Sequence, residues 1–204
     1  GVNLGSGGGS DKTTLAIEVL KSREFISKFI QRHDLLVPLM ATKGWSRNKD
    51  ELIIDQEIYN ADKGIWVRAP KPPRSPKPSF QEAYKEFVKL YGVVQDKKTN
   101  FVTISFEHYS PKLAKQCIDN LVKEINLEIK ARDVTEAKKS IEYLTGQLDK
   151  TPVADMKTVF YELIEEQSKT VMFAEVRDEY VFKTIDAAIL PELKAKPKRA
   201  LICA

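Results

Sequence analysis

The sequence predicts a mixed α+β protein, in which a small α/β base domain carries a long projecting antiparallel helical hairpin. About 40 residues from Pro111 onwards contain no further proline and a single glycine, which is typical of one long helix. A second helical pattern returns after Thr151-Pro152. The clearest alternation of side chains, FVTISFEHY, lies just before the long helix and indicates a strand.

The N-terminal segment is predicted to begin as a flexible loop and to continue as a helix. Residues 1–10 are rich in Gly and Ser. Asp11 is an N-cap residue type, and the apolar spacing behind it predicts a helix to about residues 32–36. A short second helix is expected at Pro38 to Met40, with its end at Gly44.

The region 43–78 is polar and contains few periodic signals. It is expected to hold a short helix and a short extended piece around Ile65–Arg68. Five prolines follow in APKPPRSPKP, and these predict a stiff surface connector, because proline lacks a backbone N–H and fixes φ. A ligand for a proline-recognition domain is the alternative interpretation of the same segment.

The segment SFQEAYKEFVKLYG restarts a helix. Ser79 and Glu82 have the spacing of a capping box, and Gly92 is expected to end the helix. A turn at DKKTN then leads into the strand FVTISFEHY, and Pro111 suits the first turn of the long helix.

The long helix is predicted from about residue 111 to 150, and the return helix from 153 to 177. The apolar stripe of the long helix changes register between two runs, so part of the stripe is expected to remain open in a monomer. The two runs are Ile118, Val122, Ile125 and Ile129, and then Ala137, Ile141, Leu144 and Leu148. A closing strand, YVFKTIDAAIL, completes a division into a base part (1–110), a hairpin (111–177) and a closing segment (178–204).

Composition limits the function classes. Charged residues make up 30% and hydrophobic residues 42% of the chain, and the net charge is only +4. Because Lys and Arg alternate with Asp and Glu along the helices, no nucleic-acid partner is expected. Two cysteines, Cys117 and Cys203, are too few for a disulfide framework. No run approaches the ~20 apolar residues of a membrane span, and both ends are expected to be cuts within a longer protein.

Motifs that carry chemistry are not found. SGGGSDKTT resembles a phosphate-binding loop, but Asp11 stands where a glycine must precede Lys12, and its carboxylate would repel phosphate. His33 and His108 lack the spacing of metal ligands, and His33 is expected to flank the end of the first helix. The pairs Glu165–Glu166 and Asp178–Glu179 are expected to be solvated surface charges. We therefore expect no enzyme, no catalytic or metal residue and no cofactor.

Three segments together resemble Wzz proteins, the polysaccharide co-polymerases. GGGSDKTTLAIEVLKSREF is similar to the Gly-rich loop and A-x-x-x-L-x-S-x-x-F helix that follow the first membrane helix of that family. FVTISFEHYSPKLAKQCIDN resembles its strand, proline and long helix. LPELKAKPKR resembles its proline motif, with Lys194 where a middle proline is usual. The matching residues are Ala16, Leu20, Ser22, Phe25, Phe29 and Ile30, then Pro111, Ala114 and Asn120, then Pro191, Pro197, Lys198 and Arg199.

The resemblance implies the periplasmic domain of a bacterial inner-membrane protein with two membrane helices, both outside this chain. It implies a ring-like homo-oligomer that sets the length of surface polysaccharide, such as the O-antigen of lipopolysaccharide, made by a Wzy-type polymerase. Lipid-linked polysaccharide is a further candidate partner, and no cofactor is implied. It also implies that the first base strand precedes this chain.

Two other functions fit the same pattern less well. A periplasmic hairpin adaptor of an export or efflux assembly also projects long helices, but its usual β domains rich in Gly and Val are not found. A glycan-modifying enzyme would need two carboxylates in a concave site. Trp45 and Trp66 are candidates for stacking on sugar rings, although packing in the core or at an interface is the favoured interpretation for each.

Overall fold

The computed structural model describes residues 8–191, with side chains from Asp11 onwards. This range is mixed α+β, as predicted, with antiparallel two-stranded sheets. No helix within it is long and apolar enough to cross a membrane. Its elements are α1 (Gly8–Lys21), α2 (Arg23–Arg32), α3 (Leu36–Met40), β1 (Thr42–Ser46), β2 (Glu51–Ile54), β3 (Tyr59–Asn60), β4 (Ile65–Trp66), α4 (Phe80–Leu90), β5 (Tyr91–Gln95), β6 (Val102–Phe106), α5 (Pro111–Leu148) and α6 (Ala154–Val176).

The chain divides into two compact units. The helical unit comprises Val122–Ile185 and the residues up to Val19, and the mixed unit comprises Leu20–Leu121 and the residues from Asp186. The division therefore falls within α1 and within α5. The three-part division predicted from the sequence remains a prediction.

A break at Ser22 replaces the single first helix that the apolar spacing predicts. Ser22 has extended backbone angles, and its hydroxyl accepts a hydrogen bond from the Phe25 N–H at 3.2 Å, so it is the N-cap of α2. The apolar pattern continues on both sides of the break and hides it. Ala16, Leu20, Ile26, Phe29 and Ile30 are all buried, whereas Leu15 is exposed.

The core of the mixed unit is aromatic. α2 and α3 pack against α4. Phe87 on α4 is fully buried, and its ring centroid lies 5.9 Å from Phe29, 5.3 Å from Tyr91 and 5.1 Å from Phe106. Tilted and edge-on arrangements of this kind add to the burial of apolar area. The phenylalanines on α2, α4 and β6 thereby fasten the β5–β6 hairpin to the helices.

The short helix predicted between residues 43 and 64 is wrong, because this region forms β1, β2 and β3. Exposure alternates along Glu51–Ile54, as expected for a strand. Asp50 closes the β1–β2 turn with φ of 52°, a left-handed conformation that Asp tolerates better than most residues. Asp55 and Asn60 accept hydrogen bonds from the N–H groups of Glu57 and Lys63 and stabilise turns instead of helix. The extended piece predicted near Ile65 is confirmed as β4.

The proline-rich connector contains neither helix nor strand, as predicted, and Arg68 holds it in place. The Arg68 guanidinium donates to the carbonyls of Ser75 and Pro76 and binds both carboxylate oxygens of Glu82, at 3.1 and 2.9 Å. The hydrogen bond from Arg68, with a further one from the Ser79 N–H, lowers the pKa of Glu82 to about 2. The capping box of Ser79 and Glu82 is confirmed.

Gly92 does not end α4, and this prediction is wrong. The helix ends at Leu90, and the chain enters β5 directly, because Tyr91 has extended angles. Gly92 pairs with Ser105 on β6, and a Cβ atom at position 92 would lie 2.7 Å from the Ser105 Oγ. Glycine at position 92 therefore leaves room for the Ser105 hydroxyl, which donates to the Gly92 carbonyl. The turn predicted at DKKTN is confirmed, with the Asp96 carboxylate accepting from the N–H groups of Lys98 and Thr99.

The two long helices are confirmed within a few residues of the predicted ends. α5 has 38 residues and α6 has 23. Ile125, Ile129 and Ala137 on α5 are buried, but the second apolar run is otherwise only half-buried. This partial exposure agrees with the change of register seen in the sequence, which predicts that part of the apolar stripe stays open. The buried residues of the helical unit come from α1, α5 and α6: Ala16, Ile17, Val19, Ile125, Asn126, Ile129, Ala137 and Ala174.

The closing strand predicted at YVFKTIDAAIL is wrong for the described residues. Positions 180–190 contain no strand or helix. The Asn126 side chain on α5, rather than a neighbouring strand, binds the N–H groups of Val181 and Phe182 and the carbonyl of Phe182. These backbone groups are therefore unavailable to a sheet. The tail motif at Pro191 begins at the edge of the described residues, and its other residues, like Cys203, lie outside them.

Candidate functional site

Several groups with the chemistry of a catalytic or metal site have structural partners or are buried. Within residues 8–191 no three His, Cys, Asp or Glu side chains are placed to hold a metal ion. Glu165 forms an exposed ion pair with Lys169, and the Glu179 carboxylate accepts from the Thr184 N–H. Cys117 is buried in α5, and burial raises its thiol pKa to about 12, so it is a poor nucleophile.

His108 connects two elements of the mixed unit. Its Nε2 lies 3.1 Å from the Pro38 carbonyl, and its Nδ1 lies 3.2 Å from the Ser110 N–H. Since the Ser110 N–H donates to Nδ1, the ring must carry its proton on Nε2 and donate to Pro38. Burial lowers the His108 pKa, against the smaller effect of the Pro38 carbonyl. A neutral ring with both nitrogens occupied fixes the loop before α5.

The other singled-out side chains also pack or pair. His33 is the C-cap of α2, as predicted, with its ring 4.6 Å from that of Phe29 and its Nδ1 3.3 Å from the Asn120 amide. The Lys12 Nζ is bonded to Asp133, so the phosphate-loop resemblance has no free lysine here.

The two tryptophans lie in separate two-stranded sheets. The Trp45 indole N–H donates to Asp50 at 3.1 Å, and the Trp66 ring packs edge-on against Tyr59 at 4.9 Å. Both are half-buried. The structure does not bring them together into one platform for a sugar.

A groove of about 800 Å³ lies along the helical unit and is lined by residues of α5 and α6. Glu128 and Glu136 face it together with Arg132 and Lys139, so its charges balance. Arg132 and Glu128 pair at 2.8 Å. Such a surface suits a partner of mixed charge rather than a polyanion. The remaining lining residues are Ala131, Thr135, Ser140, Tyr143 and Leu144 from α5, and Leu163 and Gln167 from α6.

An apolar row lies on α6 and is open to solvent. Met156, Val159 and Leu163 are spaced three and four residues apart, so they share one side of the helix. Their exposed fractions are 49%, 51% and 38%. Three neighbouring apolar side chains at this exposure are more informative than single ones, because contiguous patches mark contact surfaces.

A polar stripe on α5 was not recognised in the sequence. Asn126, Lys130 and Asp133 are spaced four and three residues apart and hence lie on one side of the helix. All three bind the segment that follows α6. The only sequence signal is an asparagine between Ile125 and Ile129, at a position where helical spacing expects an apolar residue.

A comparison with protein-family models and a comparison with curated proteins each find no match to this chain.

Proposed function

We propose that this chain is the periplasmic part of a Wzz-type regulator in the bacterial inner membrane, which sets the chain length of surface polysaccharide made by a Wzy-type polymerase. One observation carries the proposal. A strand, β6, leads through Pro111 into a helix of 38 residues, and a helix of 23 residues returns after a connection at residues 149–153. The strand, the proline and the start of the long helix are the second of the three segments on which the resemblance to the family rests.

The two long helices are proposed to form an antiparallel hairpin that projects from the α/β base. At 1.5 Å per residue α5 is about 57 Å long, which exceeds the diameter of a compact domain of this size. Residues from both helices line the same groove, and the Lys130 ammonium donates to the Arg177 carbonyl just beyond α6. Both observations favour α6 returning alongside α5.

The hairpin is proposed to bring copies of the protein together in a ring-like homo-oligomer. Two surfaces support this proposal. The apolar row on α6 offers apolar surface that a neighbouring copy can bury. The balanced charges along α5 can form ion pairs with that copy. Membrane helices outside the chain would hold all copies in one orientation, so head-to-tail contacts around one axis can close. The polymerase and its lipid-linked polysaccharide are the proposed partners, and nucleic acid is not.

In this proposal the protein is not an enzyme and uses no cofactor. The buried Cys117 and the internally bonded His108 support it, because each is committed to packing or to backbone groups. A length regulator needs no reactive group, since the polymerase performs the glycosyl transfer.

The decisive experiment compares surface polysaccharide from the source strain with and without the full-length gene. We expect the deletion to change the distribution of chain lengths while sugar composition and total amount stay the same. Reintroduction of the gene should restore the original distribution.

Other outcomes identify the competing functions. A change in sugar composition or linkage would indicate a glycan-modifying enzyme. Unchanged chain lengths together with a defect in export or in drug efflux would indicate a hairpin adaptor. Either result would overturn the proposal.

A further inference from the structure

The segment 177–182, which we call the strap, follows α6 without regular secondary structure. A segment of this kind has no ladder of backbone hydrogen bonds to hold it. The polar stripe of Asn126, Lys130 and Asp133 supplies the contacts instead. The stripe extends over two turns of α5, so the strap is fastened at successive points along one helix.

Asn126 is the central fastening. Its exposed fraction is 3%, the lowest of any polar or charged residue described as buried. Its Oδ1 accepts from Val181 N at 2.7 Å and from Phe182 N at 2.9 Å, and its Nδ2 donates to Phe182 O at 2.9 Å. Burying an amide without partners is unfavourable, and here both lone pairs of Oδ1 are used. The side chain thus performs the pairing that an adjacent strand would perform.

Asp133 provides a second fastening. Its Oδ2 accepts from the Tyr180 hydroxyl at 2.7 Å and from the Lys12 ammonium. The Lys12 Nζ also lies 5.3 Å from the centre of the Tyr180 ring. Lys130 adds a third contact, at 3.3 Å to the Arg177 carbonyl. Helices α1 and α5 therefore hold the start of the strap together.

Apolar burial in the strap is incomplete. Val181 and Phe182 are half-buried, and neither belongs to the fully buried core. Opening of the strap breaks a few polar contacts and exposes these half-buried side chains, whereas α5 and α6 retain their own backbone hydrogen bonds. An irregular segment such as the strap is therefore expected to detach locally at a lower free energy than is needed to unfold α5 or α6.

We infer that residues 177–182 form a latch, which releases from the polar stripe and re-seats as a unit while α5 and α6 stay folded. Asn126 selects the closed position, because only a side chain with adjacent donor and acceptor satisfies Val181 and Phe182 at once. Release lets the chain beyond residue 182 change its path without unwinding either helix. This inference does not depend on the proposed function.

Amide hydrogen exchange of the 204-residue chain, followed residue by residue by NMR, tests the latch. The first variant is Asn126→Leu, which has similar volume and a higher helix propensity, so α5 is not weakened. We expect the amides of Val181 and Phe182 to exchange at least about tenfold faster in the variant. Those of Ile125, Ile129 and Ala174 should keep their wild-type rates.

Two further variants complete the design. Tyr180→Phe removes a single hydroxyl and should accelerate exchange at Val181 and Phe182 by a smaller factor, about two- to fivefold. Lys138→Leu makes a comparable apolar replacement at an exposed site on another side of α5, and should leave both amides unchanged.

Two results would overturn the latch. In the first, the strap amides exchange at the same rate in wild type and in Asn126→Leu. In the second, exchange in α5 and α6 accelerates together with exchange in the strap, because the strap would then open only when the helices unfold.

Discussion

Arg68 illustrates, at the scale of a single residue, how an irregular segment is given one conformation. The proline connector cannot form a ladder, and Arg68 uses three nitrogens to bind two of its carbonyls and the Glu82 carboxylate. We predict that Arg68→Lys lowers the free energy of unfolding by about 1–3 kcal/mol, because an ammonium cannot reproduce the planar, bidentate pattern. Urea unfolding followed by circular dichroism measures the change.

Arg74→Lys is the matched control for this prediction. Arg74 approaches the same Glu82 carboxylate at 3.7 Å, but its side chain is 64% exposed. Its replacement should change the free energy of unfolding by less than about 0.5 kcal/mol. Equal effects at the two positions would show that Arg68 is an ordinary surface cation.

His108 makes stability depend on pH in a defined direction. The pKa is lowered in the folded protein, mainly by burial, whereas the unfolded chain takes up a proton near the ordinary value of about 6.5. Below that pH the unfolded state binds more protons than the folded one, so the His108 contribution is complete above about 6.5 and is lost as the pH falls. Urea unfolding at several pH values between 7.5 and 5 measures the slope.

The variant His108→Gln should flatten this slope, because glutamine does not titrate. Its free energy of unfolding at pH 7.5 is also expected to fall, since two hydrogen bonds are disturbed. If wild type and variant lose stability in parallel between pH 7 and 5, other groups are responsible.

At the scale of elements, local signals predicted the helices that carry them and missed contacts between distant residues. The capping box of Ser79 and Glu82 predicts the start of α4, and Pro111 predicts the start of α5. Both signals lie within one turn of the helix that they begin. Ser22 looks like an interior polar residue until its bond to Phe25 is known. Asn126 binds residues 55 and 56 positions away, and no local periodicity records such a bond. The sequence therefore predicts a strand at residues 180–190, where the structure has the end of the strap and an irregular segment.

Two glycines in different elements offer a paired test. Gly146 lies near the end of α5, and a Cβ atom there would have no neighbour within 4 Å. We predict that Gly146→Ala raises the free energy of unfolding by about 0.5–1 kcal/mol, because alanine restricts the unfolded chain and suits a helix. Gly64, between β3 and β4, has φ of +66°.

Gly64→Ala should act in the opposite direction and lower stability by about 1–2 kcal/mol, since an L-residue is strained in that conformation. Both variants are compared with wild type by thermal unfolding. If Gly146→Ala were destabilising, α5 would have to be packed closely against another element at this point.

At the scale of the whole molecule, the proposed ring predicts how association would depend on membrane helices outside the chain. We expect the 204-residue chain to be monomeric or in concentration-dependent exchange, because each interface alone must offset a loss of rotational and translational freedom of several kcal/mol, on the order of 4–15. The detergent-solubilised full-length protein is expected to be a defined oligomer. Light scattering over a range of concentrations distinguishes these states.

Val159→Glu in the apolar row should weaken the oligomer of the full-length protein, because it introduces a charge into the proposed contact. Val94→Glu is the matched control, as Val94 is 66% exposed on β5 in the mixed unit. A full-length protein that remains monomeric at all concentrations would contradict the ring and weaken the chain-length proposal with it.

The bond between Lys12 and Asp133 joins positions 121 residues apart. A ribosome produces α1 before α5, so Lys12 is made 121 residues ahead of its partner Asp133. Closing so large a loop is slow compared with forming the neighbouring helices. The helical unit is therefore completed only after α5 has been made, and in an emerging chain Lys12 lacks its Asp133 partner until then.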